Sequence, residues 1–405
     1  MSDAQVTCVL LNYKRPDNIP VIIEALRAQT LPVDILLINN SGHQTFGVKR
    51  AVSIPWNAGT WIRIPFSAQA ETPYVMWLDD DLVPTHPQFV ESMRWVTECR
   101  KDAIVGAWGK RLITGDNCYS DAPDVDGWVE VVKGRCLMFH RNLLQRVTLS
   151  NAIRPYPYRH DDIYLSLEIG RGEQTNWSHP PLREHLQELP ASYAESQRPD
   201  HWEGRDQCVR WHLDRIALDE VLTRATTIPH LCTREELRFL HQCAMRAPEG
   251  SEIVECGCYL GSSAVVLADV AYKHASRLTL IDRFHYGTQE YGISSAELVR
   301  ANLNRAHVPA AVRIITDTST NAPEDMGPVG FLHIDTDHRP EWLAKELGVW
   351  LERMAPGGVM AFHDYCHNSP GLIEFIDEWD AVHPEWKRIG LVRWMIAFQK
   401  DGGDV

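Results

Sequence analysis

Short apolar runs, each stopped by an acid, an amide or a glycine turn, are the feature that most restricts how this chain can fold. In the first half Val6-Thr-Cys-Val-Leu-Leu11 meets Asn12, Asp34-Ile-Leu-Leu-Ile38 meets Asn39-Asn-Ser-Gly42, and Tyr74-Val-Met-Trp-Leu78 meets Asp79-Asp-Asp81. In the second half Ser251-Glu-Ile-Val-Glu-Cys256 enters a glycine turn. Further runs precede Asp282, Asp317, Asp335 and Asp364. Runs this short, rich in β-branched residues and closed by turn residues, predict buried strands. Helical spacing lies between them, as over Asn18–Gln29 with Asp17 or Asn18 as its cap. Alternating strands and helices predict mostly parallel sheets, whose ligands sit beyond the carboxyl ends of the strands. The polar clusters fall at those ends. The expected fold class is α/β, with two doubly wound domains.

A chain of 405 residues exceeds one ordinary core. A polar, turn-rich stretch, Pro199-Asp-His-Trp-Glu-Gly-Arg-Asp206, precedes a helical segment over Arg210–Leu222, which places the boundary near residue 215. The domains expected are 1–215 and 216–405. Net charge is −14, which disfavours bulk binding of a polyanion. Lys110-Arg111 and Arg135, His140 and Arg141 leave room for a local groove, so nucleic acid, such as a modified base in viral DNA, stays a disfavoured partner. The chain starts without a basic or apolar leader and has no apolar run near the roughly 18 residues of a membrane helix. That predicts a cytoplasmic chain with no membrane span. Scattered cysteines, such as Cys8 and Cys136 inside apolar runs, suit a reducing compartment better than a disulfide framework.

Three adjacent acids after an apolar strand repel one another by up to about 1 kcal/mol per solvated pair. A cation among them would remove that cost. Downstream lie Gly127–His140 and Arg159-His-Asp-Asp-Ile-Tyr-Leu-Ser166. Together these segments, over about residues 5–190, resemble the GT-A glycosyltransferases, especially the large inverting family. The resemblance implies a nucleotide-sugar-binding fold and a UDP- or GDP-sugar donor. Asp79-Asp-Asp81 matches the family's D-x-D motif, with Asp79 facing ribose or metal and Asp81 ligating Mn²⁺ or Mg²⁺. Asn12, Arg15 and Asn40 would contact base and phosphate, and Asn57 with Arg63 matches the segment before the D-x-D strand. Asp162, with Asp161 as second choice, would accept the proton of the acceptor hydroxyl. His179 or His185 would complete the metal shell, and Gly134 and Cys136 would line the sugar site.

Glu255-Cys-Gly-Cys-Tyr-Leu-Gly-Ser-Ser263 has the spacing of a strand, glycine turn and helix start. Cys256 and Cys258 lack a second pair, which argues against a zinc site. With the ordered acids that follow, about residues 230–400 resemble the class I S-adenosylmethionine (SAM)-dependent methyltransferases, and within them the macrocin-type sugar O-methyltransferases. This implies a Rossmann-like fold in which Glu255, Gly257, Gly261 and Ser262 cradle SAM. Asp282 would accept its ribose hydroxyls, and Asp317 with Thr318 would lie near adenine. Ile334-Asp-Thr-Asp-His338 and Phe362-His-Asp-Tyr365 match the family's acidic segments. Asp335 and Asp364 would hold Mg²⁺, and Asp337 or His338 would be the base. The family's further metal acid is His363 here.

The leading expectation is a bifunctional enzyme, sugar transfer followed by O-methylation of the sugar or glycoconjugate. A tether would raise one site's product near the other. A glycosyltransferase carrying a non-catalytic SAM-fold module is the alternative. The partners expected are a nucleotide sugar, SAM, a carbohydrate acceptor, and a second copy of the chain through the methyltransferase domain.

Overall fold

The structure is a computed structural model. It describes residues 4–40, 45–147, 159–190, 198–285, 287–288, 292–308, 310–366 and 368–402. Ser41 and Gly42 of the expected Asn39–Gly42 turn lie outside them. The chain divides into two compact units, Met1–Ile216 and Ala217–Val405.

The first unit is built on a mixed sheet. In spatial order its strands are Arg50–Ile54, Val33–Asn40, Val6–Asn12, Tyr74–Asp79, Cys136–His140, Val105–Gly106, Asn176–Ser178 and Gly127–Val129. The first four are parallel, and Cys136–His140 then runs antiparallel to Tyr74–Asp79. The doubly wound pattern expected from sequence is thus confined to one side of this sheet. Short strands beyond Asp79 carry too few residues to show a period. The two-residue alternation of the central strand sends Val6, Cys8 and Leu10 into one core, with Ile19, Ile22 and Ile23 of helix Asn18–Arg27. Val9 and Leu11 enter the other core with Trp77, Phe139, Trp61 and Tyr164. Asp17 occupies the cap position of Asn18–Arg27 without a side-chain capping bond.

The second unit carries a sheet ordered Val312–Thr316, Arg277–Asp282, Glu252–Cys256, Val329–Ile334, Met354–Phe362, Met395–Lys400 and Trp386–Val392. All are parallel up to Met354–Phe362, and the last two add an antiparallel edge. Both faces are packed. Leu278, Leu280, Phe331 and Val359 lie against helices Arg234–Ala244 and Ser262–Lys273. Val254, Ile334, Met360 and Phe362 lie against helices Pro340–Trp350 and Pro370–Val382. Trp350, Trp379 and Trp386 are core residues, whereas Trp394 is exposed. Strand order reverses beside Glu252–Cys256, a switch point where the crevice of such a sheet opens.

The segment 199–206, polar enough to suggest a turn, is mostly helix: a single helix spans His201–Thr226. All ten cysteines are free thiols. No helix among the described residues is long and apolar enough to cross a membrane.

Candidate functional site

In the first unit the strand tips at Leu11 and Asp79, paired in register, open onto a cavity of about 320 Å³. The three acids there have different surroundings. Asp80 is pinned: it accepts the Tyr13 N–H at 2.7 Å and the Arg15 guanidinium, and its carbonyl accepts Asn18 Nδ2 at 2.9 Å. Asp79 pairs with Arg63 Nη1 at 2.8 Å. Arg63 is itself buried, and its Nε also donates to Asp161 at 2.7 Å. Arg15 lies 3.3 Å from Asp81. Like-charge repulsion is therefore relieved by two arginines of the chain, a role the sequence suggested for a metal ion alone. Burial pushes the Asp79 carboxyl up to about 7, with Arg63 opposing and the other two acids adding to it. Burial likewise raises Asp80 against the pull of Arg15. Asp81 Oδ1 is buried and has no hydrogen-bond partner.

Across the cavity Asp161 and Asp162 open helix Asp161–Gly170, where acids complement the helix dipole. His160 before them is left-handed, with φ of 60°. Asp162 accepts Arg205 Nη2 at 2.6 Å and the Gly134 N–H at 3.1 Å. Burial works to raise its pKa, but Arg205, Gly134 and Arg63 together bring it down to about 2. Asp162 is thus ionised at neutral pH but weakly basic while Arg205 holds it. Burial pushes His160 down to about 3 and His201 to about 4, so both are neutral. Gly134 leaves no room for a side chain: a Cβ would sit 2.9 Å from that of Asp162 and 3.0 Å from Arg63 Nη2.

Asn12, Asn40 and Asn57, expected at the nucleotide, are not in the cavity lining. Asn12 Nδ2 donates to Asn39 Oδ1 at 3.0 Å, although Asn12 Oδ1 is buried and has no partner. Asn40 donates to Asn57 Oδ1 at 3.0 Å and accepts the Ala58 N–H at 2.7 Å. Asn40 and Asn57 therefore fasten the loop that leads to Arg63; they do not line the cavity. Arg15 lines it with its guanidinium engaged by Asp80 and Asp81. Cys136 is a buried strand residue. His185 packs against His86 and His179 against the Trp177 indole N–H, so neither belongs to the cavity lining. Arg205, Tyr119 and Trp202 line the cavity unannounced by any motif. Arg205 donates to Tyr119 Oη at 2.7 Å, and Trp202 stacks on Tyr119 with centroids 6.4 Å apart.

In the second unit Gly257 takes φ of 82°, and a Cβ there would lie 1.9 Å from the Asp335 carbonyl oxygen. Only glycine fits. Gly261, φ of 90°, starts helix Ser262–Lys273. Asp282 is half-buried and clamps this turn: Oδ2 accepts the Cys258 and Tyr259 N–H groups at 2.8 and 3.1 Å, and Oδ1 accepts that of Phe284 at 2.7 Å. Glu255, expected at the cofactor, is a core residue in this structure. It is fully buried inside the sheet beside its register neighbour His333, whose Nδ1 is 3.0 Å from Oε1. Ser262 is likewise buried and donates to the Ala225 carbonyl at 3.0 Å. Asp317 is exposed and caps its own turn through the Thr318 N–H and Asn321.

Asp335 and Asp364 meet at His363, whose Nδ1 is 3.6 Å from Asp335 Oδ1 and 3.3 Å from Asp364 Oδ2. Burial opposes a charge on His363, yet Asp364, Cys232, Glu236 and Asp335 hold its pKa far above the ordinary range. Asp337 is turned onto Arg339, which pairs with it at 2.6 Å and lowers its pKa. His338 stays half-exposed with Nε2 3.2 Å from Asp364 Oδ2. Glu236, 1% exposed, belongs to none of the motifs read from the sequence. Burial would raise its pKa, but His363, Thr233 and Trp394 bring it down to about 2.

Residues 254–365 match a family described as a methyltransferase domain. Among solved structures the chain is similar to the O-methyltransferase NovP, at 20% identity over 42% of this chain and 80% of NovP, with a TM-score of 0.36. It is also similar to the O-methyltransferase TomG of Streptomyces achromogenes, at 18% identity over 46% of this chain and 90% of TomG, with a TM-score of 0.34. A SAM-dependent O-methyltransferase from Thermotoga maritima gives 16% identity, 45% and 71% coverage and a TM-score of 0.33. No curated protein matches the chain. The family match lies within the second unit and does not reach the first.

Proposed function

We propose that the second unit transfers the methyl group of SAM to a hydroxyl oxygen, and that the first transfers a sugar from a nucleotide donor to an acceptor. The observation that carries the methyl-transfer reading is the placement of the family match. Residues 254–365 contain the glycine turn of Gly257 and Gly261 with its Asp282 clamp, and the strand-end residues Asp335 and Asp364. The tight fit of Gly257 against Asp335 fixes the turn that leads into helix Ser262–Lys273. SAM bound there supplies the electrophilic methyl group. The hydroxyl must lose its proton as the carbon–oxygen bond forms. His338, oriented by Asp364, suits that task better than Asp337, whose carboxylate is occupied by Arg339. A sugar hydroxyl is the acceptor favoured by the resemblance of 230–400 to sugar O-methyltransferases.

The sugar-transfer reading is supported by the cavity at the strand tips, which gathers Asp79, Asp81, Asp161 and Asp162 around bound arginines. The unpartnered Asp81 Oδ1 fits a divalent cation. Asp81, with Asp79 once it releases Arg63, would hold Mn²⁺ or Mg²⁺, and the ion would offset charge on a leaving diphosphate. Asp162 would receive the acceptor's proton, with Arg205 setting its basicity.

Calorimetric titration with S-adenosylhomocysteine tests the first reading. The wild-type chain should bind, and a folded Gly257→Ala variant should bind at least about tenfold more weakly, because a left-handed backbone with a methyl group costs about 1–2 kcal/mol before any clash. A folded wild-type protein that ignores the ligand would end this reading. Thermal stabilisation by nucleotide sugars with Mn²⁺ tests the second. No shift with any UDP- or GDP-sugar counts against it.

A further inference from the structure

Among the described residues, one group of three His, Cys, Asp or Glu side chains brings its ligand atoms within 4.8 Å of one another: Cys232, Asp335 and His363. They come from distant places in the second unit. Cys232 precedes helix Arg234–Ala244, Asp335 follows strand Val329–Ile334, and His363 follows strand Met354–Phe362. Cys232 is 7% and His363 5% exposed. Neither ring nitrogen of His363 has a hydrogen-bond partner. The nearest acid oxygens, from Asp335, Asp364 and Glu236, lie 3.3–3.6 Å away, too far for good bonds from a buried imidazole. Three carboxylates facing one buried ring favour a positive charge, which protonated His363 carries until a metal ion replaces it; binding then releases the imidazolium proton of His363 and the thiol proton of Cys232 to solvent.

The donor set decides which cation. Mg²⁺ demands near-octahedral oxygen ligands, and two of the three donors here are a sulfur and an imidazole nitrogen. The Mg²⁺ pair Asp335 and Asp364 expected from sequence therefore does not fit the surroundings: a histidine stands between the two acids and a thiol beside them. We infer that Cys232, Asp335 and His363 form a site for a borderline divalent cation such as Zn²⁺ or Co²⁺ and select it over Mg²⁺. Bond lengths of about 2.0–2.3 Å in a tetrahedral zinc site put ligands about 3.3–3.7 Å apart; His363 Nδ1 and Asp335 Oδ1, at 3.6 Å, already stand at that spacing, and Cys232 Sγ lies within 4.8 Å of a ligand atom of each. Three protein ligands leave a fourth position for water or a substrate oxygen. The inference concerns the metal and stands whether or not the methyl-transfer reading holds.

The test uses the full chain, stripped with chelator and titrated with Co²⁺ while near-ultraviolet absorption is followed. The expected result is one bound Co²⁺ with a thiolate-to-cobalt charge-transfer band, displaced by Zn²⁺ and unaffected by a large excess of Mg²⁺. Cys232→Ser, checked for folding by circular dichroism, should lose the band and at least about tenfold in Co²⁺ affinity. His363→Ala should weaken Co²⁺ binding similarly. The inference is overturned if Mg²⁺ competes with Co²⁺ on equal terms in the wild-type chain, if Co²⁺ binds without a thiolate band, or if the band survives in folded Cys232→Ser.

Discussion

Asp162 and Arg205 show how far a single partner changes the chemistry of an acid. Replacing Arg205 by Gln leaves a buried carboxylate unpaired and should cost about 3–5 kcal/mol at neutral pH. The sign with pH follows from the direction of the shift. Asp162 is held down to about 2 in the folded chain against an ordinary value of 3.8. Its contribution is therefore full above about 3.8 and fades as pH falls through about 2. The stability gap between wild type and Arg205→Gln, read by urea unfolding, should be wide at neutral pH and narrow towards pH 2. A gap that stays constant would show that Arg205 acts by packing alone. Asp161 and Asp162 were legible through the resemblance carried by Arg159–Ser166. Their arginines were not, because Arg63 meets Asp161 across 98 positions and Arg205 meets Asp162 across 43.

Helix Arg234–Ala244 is an element whose start does two jobs. Thr233 accepts the Glu236 N–H at 3.3 Å, and Glu236 returns to the Thr233 N–H at 2.7 Å, a reciprocal cap. The same Glu236 accepts the Trp394 N–H at 3.0 Å and faces His363. Thr233→Ala should cost about 1 kcal/mol, roughly 2–4 °C in Tm, with Thr233→Ser close to wild type. Calorimetric melting of both variants checks this. Equal loss in the two would point to the methyl group of Thr233 instead of its hydroxyl. Thr233-Arg-Glu-Glu236 has the T-x-x-E spacing of such a cap; its place beside the strand-end acids has no sequence signal, since a helix start carries no record of the sheet it packs on.

At the scale of the molecule, two units each present their own polar strand tips, and the two proposed activities should be separable. Asp81→Ala should lower sugar transfer by at least about a hundredfold and leave methyl transfer unchanged, and Asp335→Ala should do the reverse. Mass spectrometry of an acceptor supplied with both donors reads the two transfers in one assay. Loss of both activities in either folded variant would refute independent sites. By itself the sequence determined where strands stop and which acids and glycines stand at their tips, because burial imposes a period of two and turns demand particular residues. It also carried the match over residues 254–365. The tertiary structure alone decided which of those tips are free. It placed Asp80, Asn40 and Glu255 in internal bonds, and it brought Cys232 beside Asp335 and His363. The reason is physical: a polar side chain's partner is chosen by distance in space, and helices and strands packed from remote segments set that distance.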